Sequence, residues 1–369
     1  MKRFIGTIAI MAAMMMAASC GKDSGNSGGG EGPGGGSSAL RTDFYFGADV
    51  SWVTEMEKDH KKFYDNTGKE LDLFYMFKTM GQSISRLRVW VDPVGGWCGY
   101  DDVYAKAKRA QDAGLSVMLD FHYSDFFADP GKQNMPAAWV GKSHAELVQA
   151  VSDYTKEFLT KIKLGGINPA YIQIGNETRN GMLWPDGQLW DDNGDIAGGW
   201  ERYVELSNAG FDAAKSVFPS TKVMVHLNHA FEDNTWWFSK FLSKGGKYDM
   251  IGLSHYPQTD SEKDSYIVVN SLAISNVEAL AKATGKTIMI VETGVKASYS
   301  DSPDCIKSFL SGIYKIEAVK GVLYWEPEVY GGWKPAIYDT FTPAWNAYDM
   351  GAFDNNGKPM EAIKVFVNK

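Results

Sequence analysis

Apolar positions along the chain follow two alternating rhythms. Short runs rich in β-branched and aliphatic residues recur at 46–51, 83–91, 116–122, 171–177, 222–226, 250–254, 287–292 and 321–325. Between them lie stretches with helical spacing of apolar residues, among them 71–80, 103–113, 145–163, 200–217, 271–283 and 306–316. Strands that are apolar nearly throughout, and that alternate with amphipathic helices, belong in a parallel sheet covered on both faces. Eight such units in roughly 320 residues predict an α/β fold, a closed (β/α)8 TIM barrel in a single domain. No glycine-rich phosphate loop follows the first run, which weakens a nucleotide-binding reading.

Polar residues then interrupt this pattern at the carboxyl end of nearly every strand. The runs close on Asp49, Arg88, Asp120 and His122, Asn176 and Glu177, His226 and Asn228, His255 and Tyr256, Glu292, and Trp325-Glu326. Strand propensity does not choose such residues, and burying them unpaired costs several kcal/mol. In barrel enzymes these strand ends build the active site. One such residue could be a satisfied core or capping group; the same feature on every strand is a ring of chemistry.

Within that ring, Glu177 closes the fourth run and Glu292 the seventh. Three strands apart in a ring of eight, both can point across the mouth at one bond. Glycosidic cleavage needs such a pair: one carboxylic acid protonates the leaving oxygen while the other attacks the anomeric carbon or activates water. A spacing of about 5–5.5 Å gives retention of configuration and about 6.5–9.5 Å gives inversion. Two close carboxylates cannot both ionise freely, so one is held protonated.

Several longer motifs sharpen the picture. Asn176-Glu177 after the fourth strand and Glu292 after the seventh resemble the signature of clan A glycoside hydrolases, retaining enzymes on the same barrel. Within that clan, Gly47-Ala48-Asp49-Val50-Ser51, Arg86-Leu87-Arg88-Val89-Trp90, Asp120-Phe121-His122-Tyr123-Ser124-Asp125 and Tyr324-Trp325-Glu326-Pro327 are similar to glycoside hydrolase family 53, the endo-β-1,4-galactanases. The resemblance implies a double-displacement mechanism on galactan or type I arabinogalactan, with Glu177 as acid/base and Glu292 as nucleophile. It implies that Asn176 meets the sugar 2-hydroxyl and that Arg88 holds Glu292 ionised. Asp49, Asp120, His122, His255 and Tyr256 would order the pocket, and Trp90 and Trp325 would stack on sugar. Trp184, Trp190, Trp236, Trp237 and Trp333 either line the rim or pack. Phe127 departs from the family, which commonly has Trp there. Another clan A endo-β-1,4-glycanase, a glucanase or mannanase, is the alternative.

Composition changes the picture in two respects. A net charge of −8 argues against a nucleic-acid partner, and 13% aromatic residues, including 12 Trp, suit sugar stacking as well as an ordinary core. His122, His226, His229 and His255 form no HxH or HExxH grouping, so no cofactor is expected. Some bacterial relatives bind structural calcium after the seventh strand, but Asp301 and Asp304 are too sparse to support it here.

The amino terminus has its own grammar. Lys2 and Arg3 precede an apolar run, 4–18, too short for a comfortable transmembrane helix, so 1–19 reads as a signal peptide. Ala17-Ala18-Ser19-Cys20 resembles a bacterial lipoprotein signal in which Cys20 carries lipid; ordinary cleavage leaving an incidental thiol is the other reading. Residues 20–38 form a Gly/Ser-rich tether ahead of a catalytic domain at 39–369. The expected product is a monomeric outer-membrane lipoprotein at the cell surface, touching the membrane through its lipid alone. Cys98 and Cys305 either pair or remain buried thiols.

Overall fold

The computed structural model describes residues 41–257, 265–334 and 347–366. The signal peptide, Cys20 and the tether lie outside the described residues. Eight parallel strands close into a barrel: β1 (Tyr45–Asp49), β2 (Ile84–Val89), β3 (Ser116–Phe121), β4 (Tyr171–Ile174), β5 (Lys222–Leu227), β6 (Met250–His255), β7 (Ile288–Thr293) and β8 (Val319–Trp325). Each pairs with its sequence neighbours, and β8 closes the ring on β1.

Besides a short helix at Val53–Lys58, the helices follow in order: α1 (Leu73–Thr79), α2 (Tyr100–Asp112), α3 (His144–Leu164), α4 (Gly199–Val217), α5 (Thr235–Ser243), α6 (Tyr266–Thr284), α7 (Ser302–Ile313) and α8 (Glu361–Lys364). Their starts are written locally. Asp72 caps α1 by accepting the Tyr75 N–H, and Ser143 with Glu146 forms a capping box on α3. Helix α5 was not among the stretches singled out from spacing. Two-stranded hairpins fill the connection from β4 to α4.

Side-chain alternation sorts the barrel into an inside and an outside. Leu87, Val89, Leu119, Phe121, Ile172, Val225, Leu253 and Ile290 point outward into the core shared with the helices. A separate cluster, with Ile84, Met118, Met224, Met250, Met289 and Leu323, fills the barrel's lower half. Two residues up the same strands stand Arg86 above Ile84, Asp120 above Met118, His226 above Met224 and Ser254 two steps above Met250, all at most 1% exposed. A period of two puts an apolar floor and a polar upper layer on the same face of the same strands.

Cys98 and Cys305 are buried and unpaired. No helix among the described residues is long and apolar enough to cross a membrane.

Candidate active site

The upper layer is organised around one guanidinium. Arg86 on β2 meets Asp49 Oδ2 at 2.9 Å, Asp120 Oδ2 at 2.8 Å and Glu292 Oε1 at 2.9 Å. It also donates to Asn176 Oδ1 at 2.9 Å and to Gln173 Oε1 at 3.2 Å. Burial alone would lower the arginine's pKa, but Asp120, Glu292 and Asp49 together hold it above its ordinary value. In return, Arg86 and then His122 hold Asp120 below the usual carboxylate range despite its burial.

Here the structure corrects an expectation. Arg88, the residue expected to hold Glu292, does not reach it. It sits two residues further up β2, bonds Glu326 Oε1 at 2.5 Å, and lies among the rings of Trp52, Trp90 and Phe127 at 4.4, 4.7 and 4.3 Å. Both arginines face inward, but Arg86 is level with Glu292 and Arg88 is a layer above it.

Glu292 reaches the mouth through an irregularity. Met289 and Val291 belong to the inner cluster, so strict alternation would turn Glu292 outward. Leu253 is paired with Ile290 and Ser254 with Glu292, so β7 carries one residue more than β6 at this point. The bulge reverses the alternation and re-aims the carboxylate inward. Tyr256 then donates its hydroxyl to Glu292 Oε2 at 2.9 Å. Burial and the neighbouring carboxylates keep that hydroxyl well above its ordinary pKa, so it remains a donor.

Glu177 is placed by strain. After Gly175 at φ 76°, the chain runs through Glu177 at φ 49°, a left-handed conformation that non-glycine residues seldom adopt outside functional sites. Its own N–H donates to His226 Nδ1 at 3.2 Å, and His226 Nε2 faces Ser254 Oγ at 2.8 Å. With Nδ1 accepting, Nε2 carries the hydrogen to Ser254, which frees the serine hydroxyl to donate to the carboxylates. Burial and then Arg86 push His226 well below its ordinary pKa, so it stays neutral.

Electrostatics separates the two glutamates. They are 8% and 5% exposed. Burial, then the charge of Glu292, raises Glu177 well above the usual carboxylate range. Burial also lifts Glu292, but Arg86 opposes the rise. The shared proton therefore rests on Glu177.

The remaining predicted residues divide cleanly. Asp49 and Asp120 brace Arg86, while His122 bonds Asp120 through Nε2 at 2.9 Å and accepts the Ala128 N–H on Nδ1 at 3.0 Å. Asn176 donates one amide hydrogen to Ala128 O at 2.8 Å. Trp325 is partly exposed beside Tyr256, with ring centroids 6.3 Å apart. Two expectations fail. His255 turns away from the pocket, bonding Asn270 Oδ1 at 2.8 Å and packing on Phe309, because its neighbour Ser254 takes the inward position. Trp90 is fully buried against Arg88, so no sugar reaches it. Trp237 and Trp333 pack into the core, whereas Trp184 and Trp190 are half-buried and Trp236 is exposed. Sequence reasoning passed over Arg86, Gln173 and Ser254 as site residues, although the alternation from Ile84, Tyr171 and Met250 marks all three as inward.

Two buried carboxylates across the mouth of a parallel barrel, one protonated and one held by an arginine and a tyrosine, define a barrel glycoside hydrolase. Relatives agree. The profile of Glycosyl hydrolase family 53 matches residues 45–307. An arabinogalactan endo-β-1,4-galactanase of Cellvibrio japonicus is 33% identical, covering 78% of this chain and 81% of the relative. One from Thermothelomyces thermophilus is 31% identical, covering 87% and 98%. A family 53 catalytic domain from Ignisphaera aggregans superposes with a TM-score of 0.76 at 28% identity, over 89% of this chain and 97% of that one. The chain belongs to glycosyl hydrolase family 53.

Proposed function

We propose that the chain is a retaining endo-β-1,4-galactanase acting on galactan and type I arabinogalactan. The observation that carries the chemistry is the division of labour between Glu177, protonated, and Glu292, ionised on Arg86 and Tyr256. The galactan substrate is supported by the names of the relatives above.

In the first step a Glu292 oxygen attacks the anomeric carbon as the bond to the leaving oxygen breaks, and Glu177 gives that oxygen its proton. In the second step Glu177, now a carboxylate, takes a proton from water, which attacks the same carbon and releases Glu292. Arg86 and Tyr256 fix the orientation of Glu292 and stabilise it as the leaving carboxylate. Asn176 has a second amide hydrogen for the sugar 2-hydroxyl, and Trp325 offers a face to the ring. No metal takes part in this reading, and the chain works as a monomer.

The amino terminus supports a location. A signal at 1–19, lipid on Cys20 and a tether over 20–38 would hold the enzyme on the outer membrane, facing outward. An endo-acting enzyme there shortens a polymer too large to import.

The test is hydrolysis of β-1,4-galactan by the wild type beside Glu177→Ala and Glu292→Ala. Release of oligosaccharides with retained anomeric configuration, reduced at least about a thousandfold in each variant, supports the reading. Galactose alone from the outset, or inverted product, counts against it. Cleavage of mannan or glucan but not galactan keeps the mechanism and discards the substrate. In intact cells, Cys20→Ser should move the activity from the cell surface to the soluble fraction.

A further inference from the structure

The line from Glu177 on β4 to Glu292 on β7 divides the ring of strands unequally. β5 and β6 lie on one side, and β8, β1, β2 and β3 on the other. Trp325 ends β8 and belongs to the larger side. The leaving oxygen must lie beside the acid, so the leaving part of a sugar chain departs past Glu177 towards β5.

That smaller side carries an aromatic pair at the edge of the core, one ring half-buried and the other exposed. Trp236, in the first turn of α5, is 44% exposed, and its ring lies 6.3 Å from that of Trp190. Trp237, next to it, is fully buried and donates its indole N–H to Arg179 O at 2.8 Å. Asn180 holds Trp190 from both sides: its Oδ1 accepts the Trp190 N–H at 2.9 Å and its Nδ2 donates to Trp190 O at 3.0 Å. The Trp190 main chain and the indole of Trp237, next to Trp236, are therefore tied to the two residues that follow Glu177-Thr178. The Arg179 guanidinium is 6.0 Å from the Trp236 ring and bonds Glu232 at 2.6 Å, giving the platform a polar border. Single exposed aromatics need no explanation, but a coupled pair with a polar border on the catalytic face does.

A second observation points to a ligand on the same side. Asn228 follows β5 two residues after His226, is 4% exposed, and has a side-chain oxygen with no hydrogen-bond partner. A buried acceptor left so costs about 1–3 kcal/mol, a cost that a hydroxyl donor would remove.

We infer that Trp236 and Trp190 stack on the sugar units of the leaving group, on the reducing-end side of the cleaved bond, with Asn228 accepting a hydroxyl closer in. Aromatic faces present the flat apolar surface that C–H faces of a pyranose match. The inference rests on the glycosidase reading above and adds to it the residues that grip the departing polymer.

The experiment compares wild type with Trp236→Ala, Trp190→Ala and the double variant on two substrates. One is a reducing-end-labelled β-1,4-galactohexaose, with the cleaved bond mapped. The other is a nitrophenyl β-galactobioside, whose leaving group is too short to reach the platform. The expected result for the double variant is a fall of about tenfold or more in kcat/KM on the hexaose, with cleavage shifted towards shorter labelled products. Turnover of the nitrophenyl substrate should stay within about twofold, and Trp236→Phe should recover most of the loss. Unchanged rate and bond preference on the hexaose would overturn the inference, as would equal losses on both substrates. A wild type that leaves both galactosides intact would overturn the galactanase reading, and the platform's substrate with it; variants that match an active wild type overturn the platform alone.

Discussion

Two arginines on one strand, separated by Leu87, sit in opposite surroundings. Arg86 has three carboxylates and two amide oxygens around it, drawn from four strands and their ends. Arg88 has one carboxylate and three aromatic rings. The first arrangement is an excess of negative charge gathered at one point, where a cationic transition state forms. The second is a balanced pair packed in apolar surface, with both partners 1% exposed. A buried pair of that second kind contributes little net stability, yet loss of one partner is costly. The difference teaches that equal burial does not mean equal purpose: Arg86 is wired to the reacting carboxylate, and Arg88 to the wall.

The contrast breaks most visibly in turnover. Arg86→Lys keeps a charge but loses the planar fork that serves several oxygens at once. It should lower kcat by about a hundredfold or more while the protein still folds. Arg86 also holds Glu292 down, so weakening it lets the nucleophile's pKa climb. The acid limb of the kcat/KM profile should then move to higher pH. The alkaline limb, set by deprotonation of Glu177 as pH rises through its raised pKa, should move much less. Rates across pH for both proteins check this, and an unmoved acid limb would sink the assignment of Arg86.

Arg88→Met should show the reverse split. The side chain fills similar volume among Trp52, Trp90 and Phe127 but leaves Glu326 buried without its cation. A loss of about 3 kcal/mol is expected, read as a fall of several degrees in Tm. Turnover should change less than about tenfold, since Arg88 makes no contact with Glu292. A loss of kcat as large as that of Arg86→Lys, at unchanged Tm, would return Arg88 to the role the family resemblance suggested.

How far the sequence went can be judged on these same residues. The barrel was legible because eight apolar runs alternating with amphipathic helices have few other solutions, and Glu177 and Glu292 were legible because each ends such a run. Alternation also puts Arg86 and Arg88 on one inward face. It does not give height, which depends on how β2 is staggered against β1 and β7. Nor does it foresee the extra residue in β7 that turns Glu292 inward. His255 is a different failure. Counting by two from Met250 through Gly252 selects Ser254, so its outward position was readable, and the adjacent Tyr256 obscured it. The aromatic residues were only half legible: Trp236 and Trp237 are neighbours in sequence, and their opposite fates are set by which face of α5 meets the barrel.

The smallest effect isolates the wall from the reacting centre by pH alone. Burial pushes Glu326 up to about 7 although Arg88 and Trp52 pull the other way. In the unfolded chain a glutamate titrates near 4.3. Between these values the folded protein binds a proton that the unfolded chain has released, so stability from this group is fully present below about pH 4 and declines as pH rises towards 7. Glu326→Gln presents a neutral group of the same shape at every pH. Near pH 4, where Glu326 is protonated in the fold and largely so in the unfolded chain, wild type and variant should melt alike. Near pH 8 the wild type should have lost about 1–3 kcal/mol relative to the variant. Denaturant midpoints at the two pH values measure the difference of differences, in which the many other titrating groups cancel. A variant less stable than the wild type at pH 8 would mean that Arg88 outweighs burial and keeps Glu326 ionised in the fold well below pH 7.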